Sequence, residues 1–296
     1  MYAHKFRGTG VALVTPFTSQ EAIDYPALER LVDRVIQQGV NYLVALGTTA
    51  ETPTLSEAEK MDVLRCVIET NAGRVPIVAG LGGNNTQSII AKFEKYPNHA
   101  IDAYLSVSPY YNKPSQNGIL AHYRALNEYT PKPIIMYNVP GRTGSNMNAE
   151  TALTLAHECE HVIGIKEAAG NMTQSMALVQ GRPNDFVVLS GDDDLAMAQI
   201  ACGFDGVISV AANCFTTSFC QMIQAALQYD MAKAQKLHYQ LLDGIGLLFT
   251  EGNPPGVKAF MAEMGYCENT FRLPVVPVSA PVQEKIKQFL AQHPIA

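Results

Sequence analysis

Eight short apolar runs recur along the chain, and each is followed by a turn-forming residue and then by a longer amphipathic stretch. Successive runs lie roughly 20 to 33 residues apart, which is the spacing of βα units. The runs are almost continuously apolar, as expected for parallel strands that are covered on both faces. They comprise residues 9–14, 42–46, 76–79, 103–107, 133–137, 162–166, 186–190 and 206–210. The pattern predicts an α/β fold, a TIM (β/α)8 barrel, with a doubly wound open sheet as the alternative.

The stretches between the runs have the periodicity of amphipathic helices. Residues 25–38 carry apolar side chains at helical spacing. Ser56 and Glu59 have the spacing of a capping box, which predicts the start of another helix. Further helices are predicted at residues 172–181 and 193–202.

After the eighth run the alternation stops. Helical segments follow without strands between them, at about residues 216–228, 231–249, 256–264 and 282–291. We therefore predict a barrel over residues 1–228 and a helical appendage over residues 229–296. The appendage is expected to pack on the barrel and not to form an independent domain.

The composition excludes several partners. Lys and Arg number 21 against 27 Asp and Glu, a net charge of −6, which is not the basic footprint of a protein that binds nucleic acid or an anionic membrane. No apolar run reaches the ~18 residues of a membrane span, and the first residues lack the apolar segment of a signal peptide. The six cysteines form no C-x-x-C pair and lie in apolar surroundings, as buried thiols do in a reducing cytoplasm.

The low charge content bears on assembly. Only 16% of the residues are charged, whereas a typical soluble domain has about 25%. The surface is therefore short of charge for a free monomer.

Polar segments follow the predicted strands at the end where barrel enzymes carry their active sites. These segments are residues 47–51, 80–84, 108–112, 137–142, 166–168, 190–192 and 208–209. Lys166 ends an apolar run, and burial there would favour the neutral amine, which is the form that attacks a carbonyl. Tyr137 ends the preceding strand, so its phenol is expected beside that amine, where it could shuttle protons. The alternative for Lys166 is a structural ion pair with Glu167 or Glu51.

Three further residues suit the binding of a small acid. Arg142 follows a Pro-Gly turn, and a guanidinium held there could bind a carboxylate through two hydrogen bonds. Thr48 and Thr49 follow a strand and a glycine, and their hydroxyls could bind a carboxylate or relay a proton. The alternatives are a solvated loop arginine and ordinary turn or cap residues. Together with Lys166, these residues indicate Schiff-base chemistry on a small keto acid.

The same segments carry a resemblance that runs from about residue 8 to about residue 277. The matching motifs are Gly47-Thr48-Thr49-x-Glu51, residues 109–116 (PYYNKPSQ), 137–144 (YNVPGRTG), 163–168 (IGIKEA), 189–193 (LSGDD) and 206–210 (GVISV). With these motifs the chain resembles the dihydrodipicolinate synthase family, within the pyruvate-dependent class I aldolases that include N-acetylneuraminate lyase. The family is built on TIM barrels with a helical C-terminal extension.

The resemblance implies a reaction. Lys166 would form a Schiff base with pyruvate, and the enamine derived from it would add to L-aspartate 4-semialdehyde to give 4-hydroxy-tetrahydrodipicolinate. No cofactor beyond this covalent adduct is expected. The implied proton relay consists of Tyr137, Thr48 and Tyr111, with Tyr111 reaching in from a neighbouring subunit of a homotetramer made from two tight dimers.

The resemblance also implies the binding residues. Thr49 would hold the pyruvate carboxylate, Arg142 the semialdehyde carboxylate, and Gly191 and Ile208 would make backbone contacts near the Schiff base. The Thr48-Thr49 pair replaces the Ser-Thr pair usual in sialic-acid lyases. The alternatives are another pyruvate-dependent aldolase, acting on a sialic acid or keto-sugar acid, and a barrel without turnover.

Two departures from the family pattern concern backbone positions. Ala50 stands where the family has Gly, and an alanine would be strained there if the position requires a positive φ. Ala169 stands where Thr is common. Because neither residue carries the proposed chemistry, activity is expected to survive both departures.

Other departures concern the family's allosteric lysine site. Asn84 and Tyr110 match its inhibitor-binding pattern, but Ser88 stands where lysine-sensitive members carry a Glu that pairs with the ligand's ammonium. Glu57 and Lys60 stand where those members often have His. Loss of the carboxylate weakens capture of a cation, so we expect weak or absent inhibition by lysine.

Two tempting metal motifs are interpreted as structural. Residues 157–161 read HECEH, which matches the zinc motif H-E-x-x-H. They lie at a predicted helix end just before a strand, at the opposite face of the barrel from the proposed site. Residues 192–194 (DDD) are interpreted as a cap for the following helix, and no metal is predicted.

Overall fold

The chain forms a closed barrel of eight parallel strands. The computed structural model describes residues 3–293. The strands are hydrogen-bonded in chain order, and pairing of the first with the last closes the sheet. They are β1 (Gly8–Ala12), β2 (Tyr42–Ala45), β3 (Ile77–Gly80), β4 (Ala103–Val107), β5 (Ile134–Asn138), β6 (Val162–Glu167), β7 (Val187–Ser190) and β8 (Gly206–Ser209). The predicted (β/α)8 barrel is confirmed, and the open sheet is wrong because the edge strands pair.

Both faces of every strand are buried, which explains why the runs are continuously apolar. Along β2, Tyr42 and Val44 point into the barrel interior, whereas Leu43 and Ala45 belong to the larger core between the strands and the helices. The interior is filled to contact. A Cβ on Gly10 would lie 2.1 Å from the Tyr42 ring, so this position of β1 admits only glycine.

Twelve α-helices surround and extend the barrel in the described part of the chain. They are α1 (Tyr25–Gln37), α2 (Glu57–Asn71), α3 (Thr86–Phe93), α4 (Gln116–Tyr129), α5 (Pro140–Thr143), α6 (Ala149–Glu158), α7 (Met172–Gly181), α8 (Ala196–Ala201), α9 (Thr216–Leu227), α10 (Met231–Phe249), α11 (Pro255–Glu263) and α12 (Ala280–Gln292). The predicted capping box is present at the start of α2. The Ser56 hydroxyl accepts from the Glu59 amide, and the Glu59 carboxylate accepts from the Ser56 amide.

The interpretation of residues 192–194 as a helix cap is wrong. The helix α8 begins only at Ala196, and no side chain caps it. The buried Asp193 carboxylate instead accepts from the amides of Val210 and Ala211. These bonds tie the loop after β7 to the loop after β8, at the mouth of the barrel.

The C-terminal helices pack on the barrel through aromatic side chains. The ring centroid of Phe215, at the start of α9, lies 5.1 Å from that of Phe260 in α11 and 5.9 Å from that of Phe289 in α12. All three rings belong to the core that surrounds the strands. The division of the chain at residue 228 stays a prediction.

The zinc-like motif is not on one helix. Because α6 ends at Glu158, His157 and His161 do not share a helical face. The Nε2 atom of His157 lies 3.0 Å from the Gly181 carbonyl oxygen, and the His161 amide donates to Asn127. Within residues 3–293, no three His, Cys, Asp or Glu side chains come together as a metal site.

The cysteines are unpaired but not all buried. Cys66, Cys159, Cys214 and Cys220 are buried, whereas Cys202 is exposed, so the prediction of burial is wrong for Cys202. The longest helix, α10, has 19 residues. Neither it nor any other helix between residues 3 and 293 combines the length and apolar character of a membrane span.

Candidate active site

Lys166 and Tyr137 lie side by side at the mouth of the barrel. Each lies one residue before the end of its strand, and the two are register partners in the pairing of β5 with β6. The Lys166 Nζ lies 4.3 Å from the centroid of the Tyr137 ring, and the two residues are 5% and 7% exposed. The structure therefore brings together the predicted nucleophile and the predicted proton carrier.

A register irregularity in β6 directs Lys166 into the mouth. Ile134 pairs with Val162, but Ile135 pairs with Gly164, so Ile163 is an extra residue opposite β5. Strict alternation from Ile163, which lies in the barrel interior, would place Lys166 on the outer face. The extra residue reverses this parity, because a shift of one residue exchanges the two faces of a strand.

Neither carboxylate proposed as a structural partner pairs with Lys166. The Glu51 Oε1 lies 2.6 Å from the Nζ of Lys258, and both side chains are fully buried. Glu167 accepts from Gln174 Nε2 at 3.0 Å and from the Ala169 amide at 2.8 Å. The structural ion-pair alternative for Lys166 is therefore wrong.

The mouth encloses a cavity of about 370 Å³ that Lys166 lines. Other residues predicted for the site also line it: Thr48, Thr49, Tyr137, Arg142 and Gly191. A neighbouring cavity of about 600 Å³ shares Thr48, Tyr137 and Arg142 with it. A Cβ on Gly191 would lie 2.5 Å from that of Ala168 and 3.0 Å from the Lys166 Cε, so only glycine leaves the lysine its present position.

The threonines are presented by a single 3-10 turn after β2. Gly47 precedes this turn, which spans Thr48–Ala50. The left-handed residue is Glu51, with φ of 53°, and Ala50 has no positive φ. The strain considered for Ala50 is therefore absent. Instead, the Ala50 carbonyl accepts a hydrogen bond from the Thr15 hydroxyl at 2.8 Å.

Asn253, from the C-terminal helical region, completes the mouth. It lies between α10 and α11 and lines both cavities. Its side-chain amide donates to the Thr49 hydroxyl at 3.0 Å, and its main-chain carbonyl accepts from the Arg142 guanidinium at 3.3 Å. Asn253 is not among the residues predicted for the site, although it stands in a Gly252-Asn253-Pro254 turn between two helical segments.

Two other predicted residues lie outside the mouth. Tyr111 is 87% exposed and lines neither cavity. Ile208 is buried in the barrel interior and lines neither cavity either. One chain therefore supplies Tyr137 and Thr48 of the predicted relay to the cavity but not Tyr111.

Of the residues predicted for a lysine site, Tyr110 and Lys60 line the larger cavity. Asn84 Nδ2 donates to the Tyr110 carbonyl at 3.3 Å, and Ser88 lies in the first turn of α3. A single oxygen of Glu57 accepts from two ammonium groups, those of Lys60 at 2.8 Å and Lys92 at 3.0 Å. These hydrogen bonds, chiefly the one from Lys60, lower the pKa of the Glu57 carboxyl.

Two carboxyl groups lie close enough to Lys166 to interact with its charge. Burial raises the pKa of Asp192 to about 6, and the Lys166 ammonium opposes that rise. Burial likewise raises the pKa of Asp193 to about 6, opposed by its hydrogen bonds and by Lys166. When ionised, these groups would favour a cation at Lys166, such as a protonated Schiff base.

A closed parallel barrel with a buried lysine beside a tyrosine at its mouth has the arrangement of a lyase of the class I aldolase type, and the relatives of the chain have this activity. The model of the dihydrodipicolinate synthetase family matches residues 5–293. Similar proteins include the 4-hydroxy-tetrahydrodipicolinate synthases of Azobacteroides pseudotrichonymphae, 50% identical with 96% of each chain covered, and Parabacteroides distasonis, 48% identical with 97% of this chain and 96% of the relative covered.

A solved structure indicates the same family. The chloride-inhibited dihydrodipicolinate synthase from Acinetobacter baumannii, complexed with pyruvate, is 37% identical and has a TM-score of 0.95, with 98% of this chain and 100% of that chain covered. The chain belongs to the dihydrodipicolinate synthase family.

Proposed function

We propose that this protein condenses pyruvate with L-aspartate 4-semialdehyde through a Schiff base on Lys166, giving 4-hydroxy-tetrahydrodipicolinate. This reaction is the first committed step toward diaminopimelate and lysine. The observation that carries the proposal is the buried Lys166 amine beside Tyr137, in a cavity that also holds Thr48, Thr49 and Arg142. The family relationship supports the same reaction.

The chain's own residues would act in sequence. The Lys166 amine attacks the keto carbon of pyruvate and water leaves, giving a protonated imine. Loss of a methyl proton gives an enamine, whose carbon attacks the aldehyde and forms the new carbon–carbon bond. The amine of the second substrate then attacks the imine carbon, closes the ring and releases Lys166.

Proton transfers and anchoring fall to the other residues at the mouth. Tyr137 and Thr48 line the cavity beside Lys166 and would carry protons to and from the reacting atoms. Thr49 would bind the pyruvate carboxylate, and Arg142 would bind the carboxylate of the semialdehyde. Gly191 leaves room for the lysine, and we keep Ile208 as a proposed backbone contact near the Schiff base. No cofactor is proposed.

A comparison of aldehydes tests the substrate. With pyruvate fixed, turnover of L-aspartate 4-semialdehyde is measured in a coupled assay beside N-acetylmannosamine and other sugar aldehydes. The proposal expects kcat/KM for the semialdehyde to exceed that for the sugars by at least about 10²-fold, because Arg142 meets an acidic end only in the semialdehyde. Preference for a sugar aldehyde would indicate a different pyruvate-dependent aldolase. Absence of turnover with every aldehyde would favour a barrel without catalytic activity.

Tyr111 gives a prediction about assembly. Its exposure of 87% in one chain and the low charged content of 16% support our proposal of a homotetramer in which Tyr111 enters a neighbouring mouth. Tyr111→Phe should lower kcat about 10²-fold while sedimentation still shows the tetramer, because only the phenolic proton is lost. The exposed Tyr239→Phe is the control. A fully active monomer would contradict the proposal.

Lysine is expected to inhibit weakly or not at all. The Lys60 and Lys92 ammonium groups already share Glu57, and Ser88 supplies no carboxylate for a further cation. Sub-millimolar L-lysine should therefore leave the initial rate unchanged, whereas Ser88→Glu should introduce measurable inhibition. Strong inhibition of the natural protein would show that Asn84 and Tyr110 suffice to bind lysine.

We also propose a cytoplasmic location.

A further inference from the structure

Asn253 joins the two groups proposed to bind the two substrate carboxylates. It contacts the Thr49 hydroxyl through its side chain and the Arg142 guanidinium through its main chain. Thr49 and Asn253 are 204 residues apart in sequence, so the C-terminal helical region reaches into the barrel mouth to make this contact.

The direction of the side-chain hydrogen bond bears on Thr49. A hydroxyl has one proton to donate and two lone pairs that can accept. Because the Asn253 amide donates to the Thr49 oxygen, it occupies a lone pair and leaves the hydroxyl proton available to a carboxylate in the cavity. A hydroxyl that already accepts a hydrogen bond is also polarised into a stronger donor.

The surrounding structure holds Asn253 in register with Thr49. Glu51, two residues after Thr49, forms a buried ion pair with Lys258, five residues after Asn253. Close packing adds a second restraint, since a Cβ on Gly256 would lie 2.2 Å from the Leu248 carbonyl oxygen. The ion pair therefore ties the segment after Asn253 to the segment after Thr49, and the close packing of α11 on α10 fixes the two helices on either side of Asn253.

We propose that Asn253 is a positioning residue that orients the Thr49 hydroxyl as a donor to the carboxylate of the keto acid. This inference rests on the proposed function, because it takes Thr49 to be the group that binds that carboxylate. Asn253 acts through Thr49, and its main-chain contact with Arg142 does not depend on its side chain.

The test compares three variants by steady-state kinetics. Asn253→Ala should raise the KM for pyruvate by up to about tenfold, the upper end of the effect of one neutral hydrogen bond, with kcat changed less than about threefold. Asn253→Asp should raise it further, because a carboxylate accepts the Thr49 proton and repels the keto acid. Asn269→Ala, in the same C-terminal region but lining neither cavity, is the control and should leave the KM unchanged.

Two readouts separate positioning from a general structural effect. The KM for the semialdehyde should change little, because the Arg142 contact uses the main chain of Asn253. In a Thr49→Val background, Asn253→Ala should raise the KM for pyruvate less than about twofold. The hydroxyl that Asn253 orients is then already absent, and the effects of mutations at interacting residues are not additive. An unchanged KM for pyruvate in Asn253→Ala, or full additivity with Thr49→Val, would overturn the inference.

Borohydride trapping keeps this test separate from that of the proposed function. If the natural protein forms no pyruvate adduct, the proposed function itself fails. If the natural protein forms the adduct and Asn253→Ala leaves the KM for pyruvate unchanged, the proposed function stands and only the role of Asn253 fails.

Discussion

Replacing Lys166 with methionine should lower kcat/KM by at least about 10³-fold, because the variant has no amine to form the Schiff base. Methionine retains most of the side-chain volume at a position that is 5% exposed. It also removes a nearly buried amine that forms no ion pair among residues 3–293. The fold is therefore expected to persist, and the melting temperature should stay within a few degrees of the natural value.

Trapping of the intermediate gives the more specific measurement. The natural protein treated with pyruvate and borohydride should carry one adduct, located at Lys166 by peptide mass mapping, and Lys166→Met should carry none. Lys236→Met is the matched control, because Lys236 is exposed on α10, and it should remain active and form the adduct. An adduct on another lysine, or substantial turnover by Lys166→Met, would refute the proposed mechanism.

The second large effect is expected on stability, from the buried pair of Glu51 and Lys258. Both side chains are fully buried, with 2.6 Å between the Lys258 Nζ and the Glu51 Oε1. The ammonium also donates to the Thr270 carbonyl at 2.9 Å and lies 4.2 Å from the Phe17 ring centroid. Burial lowers the pKa of Lys258, and the Glu51 carboxylate opposes that change.

Lys258→Met should reduce the free energy of unfolding by about 3–5 kcal/mol, because it leaves the Glu51 carboxylate buried without its cation. At roughly 2–4 °C per kcal/mol, the melting temperature should fall by roughly 10 °C. The double variant Glu51→Gln/Lys258→Met should recover part of the loss, since no charge is then buried alone. Calorimetry, or thermal denaturation followed by circular dichroism, measures the stability of the single and the double variant.

An exposed ion pair supplies the control. The Arg124 guanidinium lies 2.6 Å from the Glu158 carboxylate, but both side chains are 49% exposed. Solvent screens such pairs, so Arg124→Met should cost less than about 1 kcal/mol. If Lys258→Met costs no more than Arg124→Met, the buried pair does not stabilise the fold.

The catalytic pair could be predicted because it depends on local signals. Lys166 and Tyr137 each end an apolar run, and neighbouring parallel strands of a barrel present their carboxyl ends at one mouth. Glu51 was misjudged for the opposite reason. It stands beside Thr48 and Thr49 in the sequence, yet its partner is Lys258, 207 residues away. No sequence spacing indicates a contact that forms only when the C-terminal helices pack on the barrel.

The assignments around the mouth show where local patterns stop being informative. Asn253 stands in a turn that looks like a connection between helices, and only packing brings its amide to Thr49. Tyr111 matches a family motif, yet it is exposed in one chain, and no local pattern of sequence indicates what it contacts.

By itself, the sequence determined the eight βα units, favoured a barrel over an open sheet and indicated the strand ends that carry the site, because these follow from hydrophobic periodicity and from the residues adjacent to each strand. The closure of the sheet was decided by the tertiary structure. The tertiary structure showed how Lys166 is directed into the mouth, through the extra residue at Ile163. It alone decided that Glu51 pairs with Lys258 and that Asn253 reaches Thr49. The physical reason is that strand register and contacts between distant segments are set by packing of the whole chain, which no local window of sequence contains.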